Sequence, residues 1–131
     1  MASGLNSFRY TSAVLERTLD ALGLRQRVTA HNVANVNTPG YKPLAVSFEA
    51  ELRKALQIDA AAGGKNPQTA TRFTIGLAEG PGAGVRIDGN AVDIDKEMVT
   101  TAKTTLAYQA VTQQWSDLYG RLRMAVREGR R

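Results

Sequence analysis

The chain contains no cysteine, which excludes disulfides and thiolate metal sites. Its single histidine, His31, belongs to a helical pattern, where a lone imidazole is a surface or interface group rather than a metal or catalytic centre. Aromatic residues make up only 6% of 131 residues, which is modest material for a globular core and points to burial by partners. No window approaches the roughly 18 consecutive apolar residues of a membrane span. The start, Met-Ala-Ser-Gly-Leu-Asn-Ser-Phe-Arg, lacks the basic and then apolar regions of a cleavable signal.

Charge is unbalanced at +5, but five of the seventeen basic residues are Arg121, Arg123, Arg127, Arg130 and Arg131. Positive side chains are favoured at the C-terminal end of a helix, and Asp93, Asp95 and Glu97 stand at the opposite end, where negative ones are favoured. The excess is therefore read as complementing a helix dipole, with an anion-binding tail as the alternative.

Apolar periodicity fills the two ends. Leu5, Phe8, Ser12, Leu15, Leu19, Leu22, Gln26, Thr29, Val33 and Val36 step by three and four, which is a heptad seam. Tyr10, Val14, Ala21, Leu24 and Val28 add a second stripe. The same alternation returns through Ile94, Met98, Thr101, Thr105, Tyr108, Thr112, Trp115, Tyr119, Leu122 and Val126. These patterns predict an N-terminal helix over 5–36 and a C-terminal helix over 94–128, capped by Asp93 and stopped by Gly129. The expected fold is mainly α: one domain over 1–131, with the two heptad helices in an antiparallel pair or coiled coil. Leu15, Leu19, Leu22, Val33, Met98, Tyr108, Trp115 and Leu122 would form the helix interface.

The middle, residues 37–93, is read as a turn, a short helix from Ser47 to Leu56 with Ser47 as N-cap, a flexible insert over 59–84, and a β-hairpin. The hairpin is expected from Val85-Arg-Ile87 and Asn90-Ala-Val-Asp-Ile94 around Asp88-Gly89, a dipeptide suited to a type I′ turn. At most a short extended piece is expected at Arg72-Phe-Thr-Ile75. Residues 1–4 carry no pattern and read as a loose end.

The junction between the first helix and the middle is Asn32-Val-Ala-Asn-Val-Asn-Thr-Pro-Gly-Tyr-Lys42. Asn32, Asn35 and Asn37 compete for local hydrogen bonds, Pro39 pushes Thr38 out of the helical region, and Gly40 supplies the positive φ of a type II turn ending at Tyr41. No catalytic constellation accompanies it. Asp93, Asp95 and Glu97 alternate instead of sharing a face, and Gly63-Gly-Lys65 and Gly80-Pro-Gly-Ala-Gly84 lack the rest of a phosphate-binding loop. Trp115 and Tyr119 read as core. The residues alone thus leave a structural assembly protein, a coiled-coil adaptor and a basic nucleic-acid-binding module open, with no cofactor, metal or small-molecule substrate expected.

Ala34-Asn-Val-Asn-Thr-Pro-Gly-Tyr-Lys42 resembles the N-terminal signature of bacterial flagellar rod and hook proteins, in which it follows a helix that pairs with a C-terminal one. At this length the resemblance is to the short proximal-rod types. Arg25-Gln-Arg27, Val46-Ser-Phe48, Asn90-Ala-Val-Asp-Ile-Asp-Lys-Glu-Met98 and Tyr108-Gln-Ala-Val-Thr112 look like the FlgB type, with the FlgC type as the close alternative. The resemblance implies a non-enzymatic subunit of the periplasmic rod, exported by the flagellar type III apparatus without a cleaved signal. It implies partners among other rod proteins, copies of itself, and membrane-ring or export-gate components at the rod base, and no nucleic acid. Asn32, Asn35, Asn37, Thr38, Pro39, Gly40 and Tyr41 would then be an assembly motif, its asparagines satisfying backbone groups buried by neighbouring subunits. Terminal helices that need neighbours for burial are expected to be partly disordered in the free monomer.

Overall fold

Each run of helical periodicity in the sequence forms a helix. The computed structural model describes residues 2–61, 68, 72–80 and 86–129, in the order α1 (Ala2–Ala34), β1 (Leu44–Ser47), α2 (Glu49–Ala61), β2 (Gly76–Glu79) and α3 (Ile94–Glu128). At 1.5 Å per residue α1 and α3 are each about 50 Å long. They pack antiparallel: Phe8 meets Tyr119 edge to face at 5.4 Å, Gln26 reaches Thr105, and Asn32 reaches Glu97. The N-terminal helix begins at Ala2, so residues 2–4 are its first turn and not the expected loose end.

The seam is unusually polar, and its hydroxyls explain how it closes. Ser12, Thr29 and Thr104 are buried. Thr104 donates to the Thr100 carbonyl at 2.7 Å, Thr101 to Glu97 and Thr18 to Val14, each one turn back on its own helix. A hydroxyl satisfied in this way leaves its small apolar side to the partner helix, so the backbones can approach without an unpaired group.

A second layer packs on this pair. Val46, Phe48, Ala55 and Phe73 bury against Ala21 and Leu22, with Phe48 and Phe73 stacked at 6.2 Å. Burying each phenylalanine contributes about 2–3 kcal/mol. The sheet beneath has two antiparallel strands, with Leu44 opposite Glu79 and Ser47 opposite Gly76.

A short antiparallel sheet was expected, but not there. The described part of the 85–94 hairpin holds no strand: Arg86 accepts from the Gly89 amide in a tight turn and Asn90–Asp93 lead straight into α3. The pairing partner of Gly76–Glu79 is instead β1, some thirty residues earlier, and the extended piece expected at 72–75 lies just ahead of that strand. Ser47 ends β1 and does not cap α2; the first helical bond runs from the Leu52 amide to the Phe48 carbonyl, and α2 continues to Ala61 rather than stopping at Leu56. Gly63–Lys65, Pro81–Val85, Arg130 and Arg131 lie outside the described residues. Among the described residues no helix is long and apolar enough to cross a membrane.

Candidate functional site

The helix stop becomes a site because its side chains tie three separate segments together. After Ala34 the helix tightens: the Asn35 amide is shared between the His31 and Asn32 carbonyls, Val36 bonds Val33, and Thr38 bonds Asn35 at 2.9 Å. Shortened i to i+3 bonds of this kind consume the carbonyls that a helix end leaves over. Tyr41 then closes on the Thr38 carbonyl, with Gly40 at φ 70°, the positive value expected of the turn.

Asn32 is the hub, with 1% of its surface exposed. Its Nδ2 donates to the Leu44 carbonyl at 2.7 Å and to Glu97 Oε1 at 3.0 Å, while its Oδ1 accepts from the Leu44 amide and the Tyr41 hydroxyl, both at 3.0 Å. An amide side chain offers two donors and an acceptor with two lone pairs, so its capacity is fully used inside its own chain. The Tyr41 hydroxyl spends its only proton on Asn32, so the 2.9 Å contact with His31 Nδ1 requires His31 to donate from that nitrogen. Burial, followed by the Glu97 charge, raises the Tyr41 pKa.

Asn90 is the second hub and is wholly buried. Its Nδ2 caps the end of α1 by donating to the carbonyls of Asn35 at 2.9 Å and Thr38 at 2.6 Å, and its Oδ1 accepts from the Val92 amide. The two turns then face each other: the Gly40 amide donates to the Asp88 carbonyl and the Ala91 amide to the Tyr41 carbonyl. Gly89, at φ 79°, lies so close that a Cβ there would meet Gly40 Cα at 3.3 Å.

Glu97 opens α3 beneath this knot. Burial raises its pKa, the neighbouring Asp93 charge adds to the rise, and the hydrogen bond from Asn32 opposes it. Asp93 caps the helix as expected, accepting from the amides of Asp95 and Lys96, and those bonds together with the Lys96 side chain lower its pKa. At the far end, Gly129 bonds the Ala125 carbonyl with right-handed φ −71°, so no left-handed cap is formed.

Within the chain Asn32 uses its whole hydrogen-bonding capacity, whereas Asn35 Nδ2 donates to the His31 carbonyl and its Oδ1 accepts from the Thr38 hydroxyl. Asn37, Thr38, Pro39 and Gly40 are exposed. Of the expected helix-interface residues, Leu22 is buried, and Leu15, Leu19, Val33, Trp115 and Leu122 are half-buried. Met98, 59% exposed, faces outward, because the first half of α3 turns Glu97, Thr104, Ala107 and Val111 inward, whereas Thr105 and Tyr119 of the expected stripe do meet α1. Tyr108, 38% exposed, stands at the seam's edge beside a recess lined also by Leu19 and Ile75. Leu44 carries no sequence pattern, and Asn90, expected as the start of a hairpin strand, instead accepts from the Val92 amide in an Asx turn.

The arrangement holds backbone ends in place and presents no nucleophile with a base; among the described residues no cluster of histidine and acidic side chains could hold a metal ion. The family model for the flagella basal body rod protein matches residues 13–42, the last two thirds of α1 and this turn. Relatives named flagellar basal body rod protein FlgB match most of the chain. That of Borrelia hermsii is 32% identical over 120 residues, covering 82% of this chain and 89% of the relative. That of Escherichia coli is 34% identical over 111 residues, covering 74% and 80%, and that of Bacillus subtilis is 28% identical over 131 residues, covering 96% and 100%.

Proposed function

Because this chain belongs to the flagellar basal body rod protein family, as a structural component of the basal body most like the FlgB members, we propose that it is a proximal-rod subunit that packs axially and transmits torque. Copies of itself and other rod proteins would be its neighbours, with membrane-ring or export-gate components at the rod base. The subunit would leave the cytoplasm unfolded through the flagellar export apparatus and take its place in the periplasm.

The observation that carries this reading is the outer face of α3. Met98, Val99, Leu106 and Met124 are all exposed, Leu106 at 69%, along a helix whose opposite face is already closed by α1. A rigid helix pair, locked at one end by Asn32 and Asn90 and apolar on its outside, suits lateral burial by neighbours. Torque transmission needs that rigidity at the joint between helix and turn.

Leu106→Asp tests it. The variant should fold with an unchanged thermal midpoint, since Leu106 is outside the inner face, yet fail to enter basal bodies and abolish swimming. Normal incorporation would overturn the packing role. Steep, salt-sensitive DNA binding through Arg121, Arg123 and Arg127 would favour the adaptor reading instead.

A further inference from the structure

Hydrogen-bond register distinguishes the two edges of the small sheet. The Gly80 amide donates to the Pro43 carbonyl at 2.8 Å, which makes Pro43 and Gly80 a hydrogen-bonded pair of the antiparallel ladder. Such pairs alternate, so Ala45 with Ala78 and Ser47 with Gly76 bond inward, whereas Leu44, Val46, Leu77 and Glu79 turn their backbone groups away from the partner strand. The β1 side bears this out: the outward groups of Leu44 bond Asn32, and the outward carbonyl of Val46 accepts from Arg25 Nε at 3.2 Å and Nη2 at 2.9 Å. Two side chains of α1 occupy the place of a third strand. On the β2 side, the outward amides and carbonyls of Leu77 and Glu79 have no hydrogen-bond partner among the described residues, and the Leu77 side chain is 54% exposed.

We propose that this open edge of β2 is a pairing site for a second copy of the chain, joined β2 to β2 in the antiparallel sense. Among the described residues a second copy has one open strand edge to offer, the same one, because its β1 edge is sealed as well. The edge is self-complementary. Exchange of hydrogen bonds between Leu77 and the partner's Glu79 places the two copies of Ala78 opposite each other, so that no like charges face directly. Each Glu79 is moreover bridged to Lys42 of its own chain at 3.2 Å. Small side chains on Gly76 and Ala78 leave one face of the new ladder unobstructed. The operation is twofold, so it makes pairs of free chains and does not propagate. It is therefore distinct from axial packing through α3 and does not depend on it.

The test uses the isolated chain in a concentration series, followed by sedimentation and by amide exchange. The Leu77 and Glu79 amides should gain protection as concentration rises, while the Ala78 amide, already bonded to β1, is protected throughout. Leu77→Pro removes an outward donor and no ladder bond, so it should weaken self-association about tenfold or more without moving the thermal midpoint. Ala78→Pro removes an inward donor and should destabilise the fold itself. The proposal is overturned if Leu77 and Glu79 exchange at rates independent of concentration, or if association survives Leu77→Pro, which would assign it to the outer face of α3. The exchange measurement on the unmodified chain stands even if a variant fails to fold.

Discussion

Asn32 meets Leu44 as a neighbouring strand would, giving to its carbonyl at 2.7 Å and taking from its amide at 3.0 Å. A helix side chain thus completes the hydrogen bonding of a sheet edge and fixes the angle at which the chain leaves α1. The same amide reaches Glu97 at the start of α3 and the Tyr41 hydroxyl in the turn. One residue couples the end of one long helix to the beginning of the other.

Replacing Asn32 with Ala leaves the Leu44 amide and carbonyl unpaired in a buried site and takes a donor from Glu97. Each orphaned group costs about 1–3 kcal/mol, and partial rehydration offsets some of it, so a net loss of about 2–4 kcal/mol is expected in urea unfolding. Asn32→Asp should be worse at neutral pH, because a second carboxylate would face Glu97 where a donor stood.

What the sequence makes legible here follows from range. Periodicity located both long helices within a few residues, since spacing along one helix is local, and Pro39 and Gly40 signalled the turn because their backbone restrictions are intrinsic. The Asn32 contacts with Leu44 and Glu97 span 12 and 65 residues and have no periodic trace. The start of α3 departs from the expected stripe at Met98, where the chain turns Glu97 and Thr104 inward, and Thr104, with its hydroxyl bonded back to Thr100, packs as a small apolar residue. The misplaced hairpin has the same origin: Asp88-Gly89 makes a tight turn wherever it stands, but that turn docks on Gly40 instead of pairing two strands.

Glu97 sets a pH dependence. Its folded pKa is raised by burial, so folding favours the protonated form; the associated stability is fully present below the unfolded pKa and is lost as pH rises through the folded pKa. As pH falls through that folded pKa, which lies above the ordinary carboxylate value, stability should therefore rise as Glu97 takes up its proton. Glu49 works oppositely: the hydrogen bond from Arg25 lowers its pKa, and its contribution is lost at more acidic pH as it protonates. Glu97→Gln keeps an acceptor for Asn32 and should flatten the rise; denaturation midpoints across pH for both proteins check it.

Gly89 and Gly40 both hold positive φ, but their surroundings differ. An Ala at Gly40 would meet open space and pay only for the left-handed backbone, about 1–2 kcal/mol. At Gly89 the same backbone cost is joined by a Cβ placed 3.3 Å from Gly40 Cα, where the neighbour is main chain and cannot rotate away. Gly89→Ala should lower the thermal midpoint more than Gly40→Ala does. Equal effects would mean that the two turns are not held as closely as their hydrogen bonds indicate.

Arg25 offers the complementary test of the sealed β1 edge. Its guanidinium donates from two nitrogens to the Val46 carbonyl, pairs with Glu49 at 2.6 Å, and lies over the Phe48 ring at 4.8 Å. A lysine keeps the charge but has no planar fork to hold a carbonyl and a carboxylate together while stacking on a ring. Arg25→Lys should therefore cost most of what Arg25→Ala costs, about 1–3 kcal/mol, and added salt should recover little of the difference, since the carbonyl bonds and the ring contact are short-ranged. If lysine restored full stability, the ion pair with Glu49 would be the only part of the contact that matters, and the strand edge would be held by Asn32 alone.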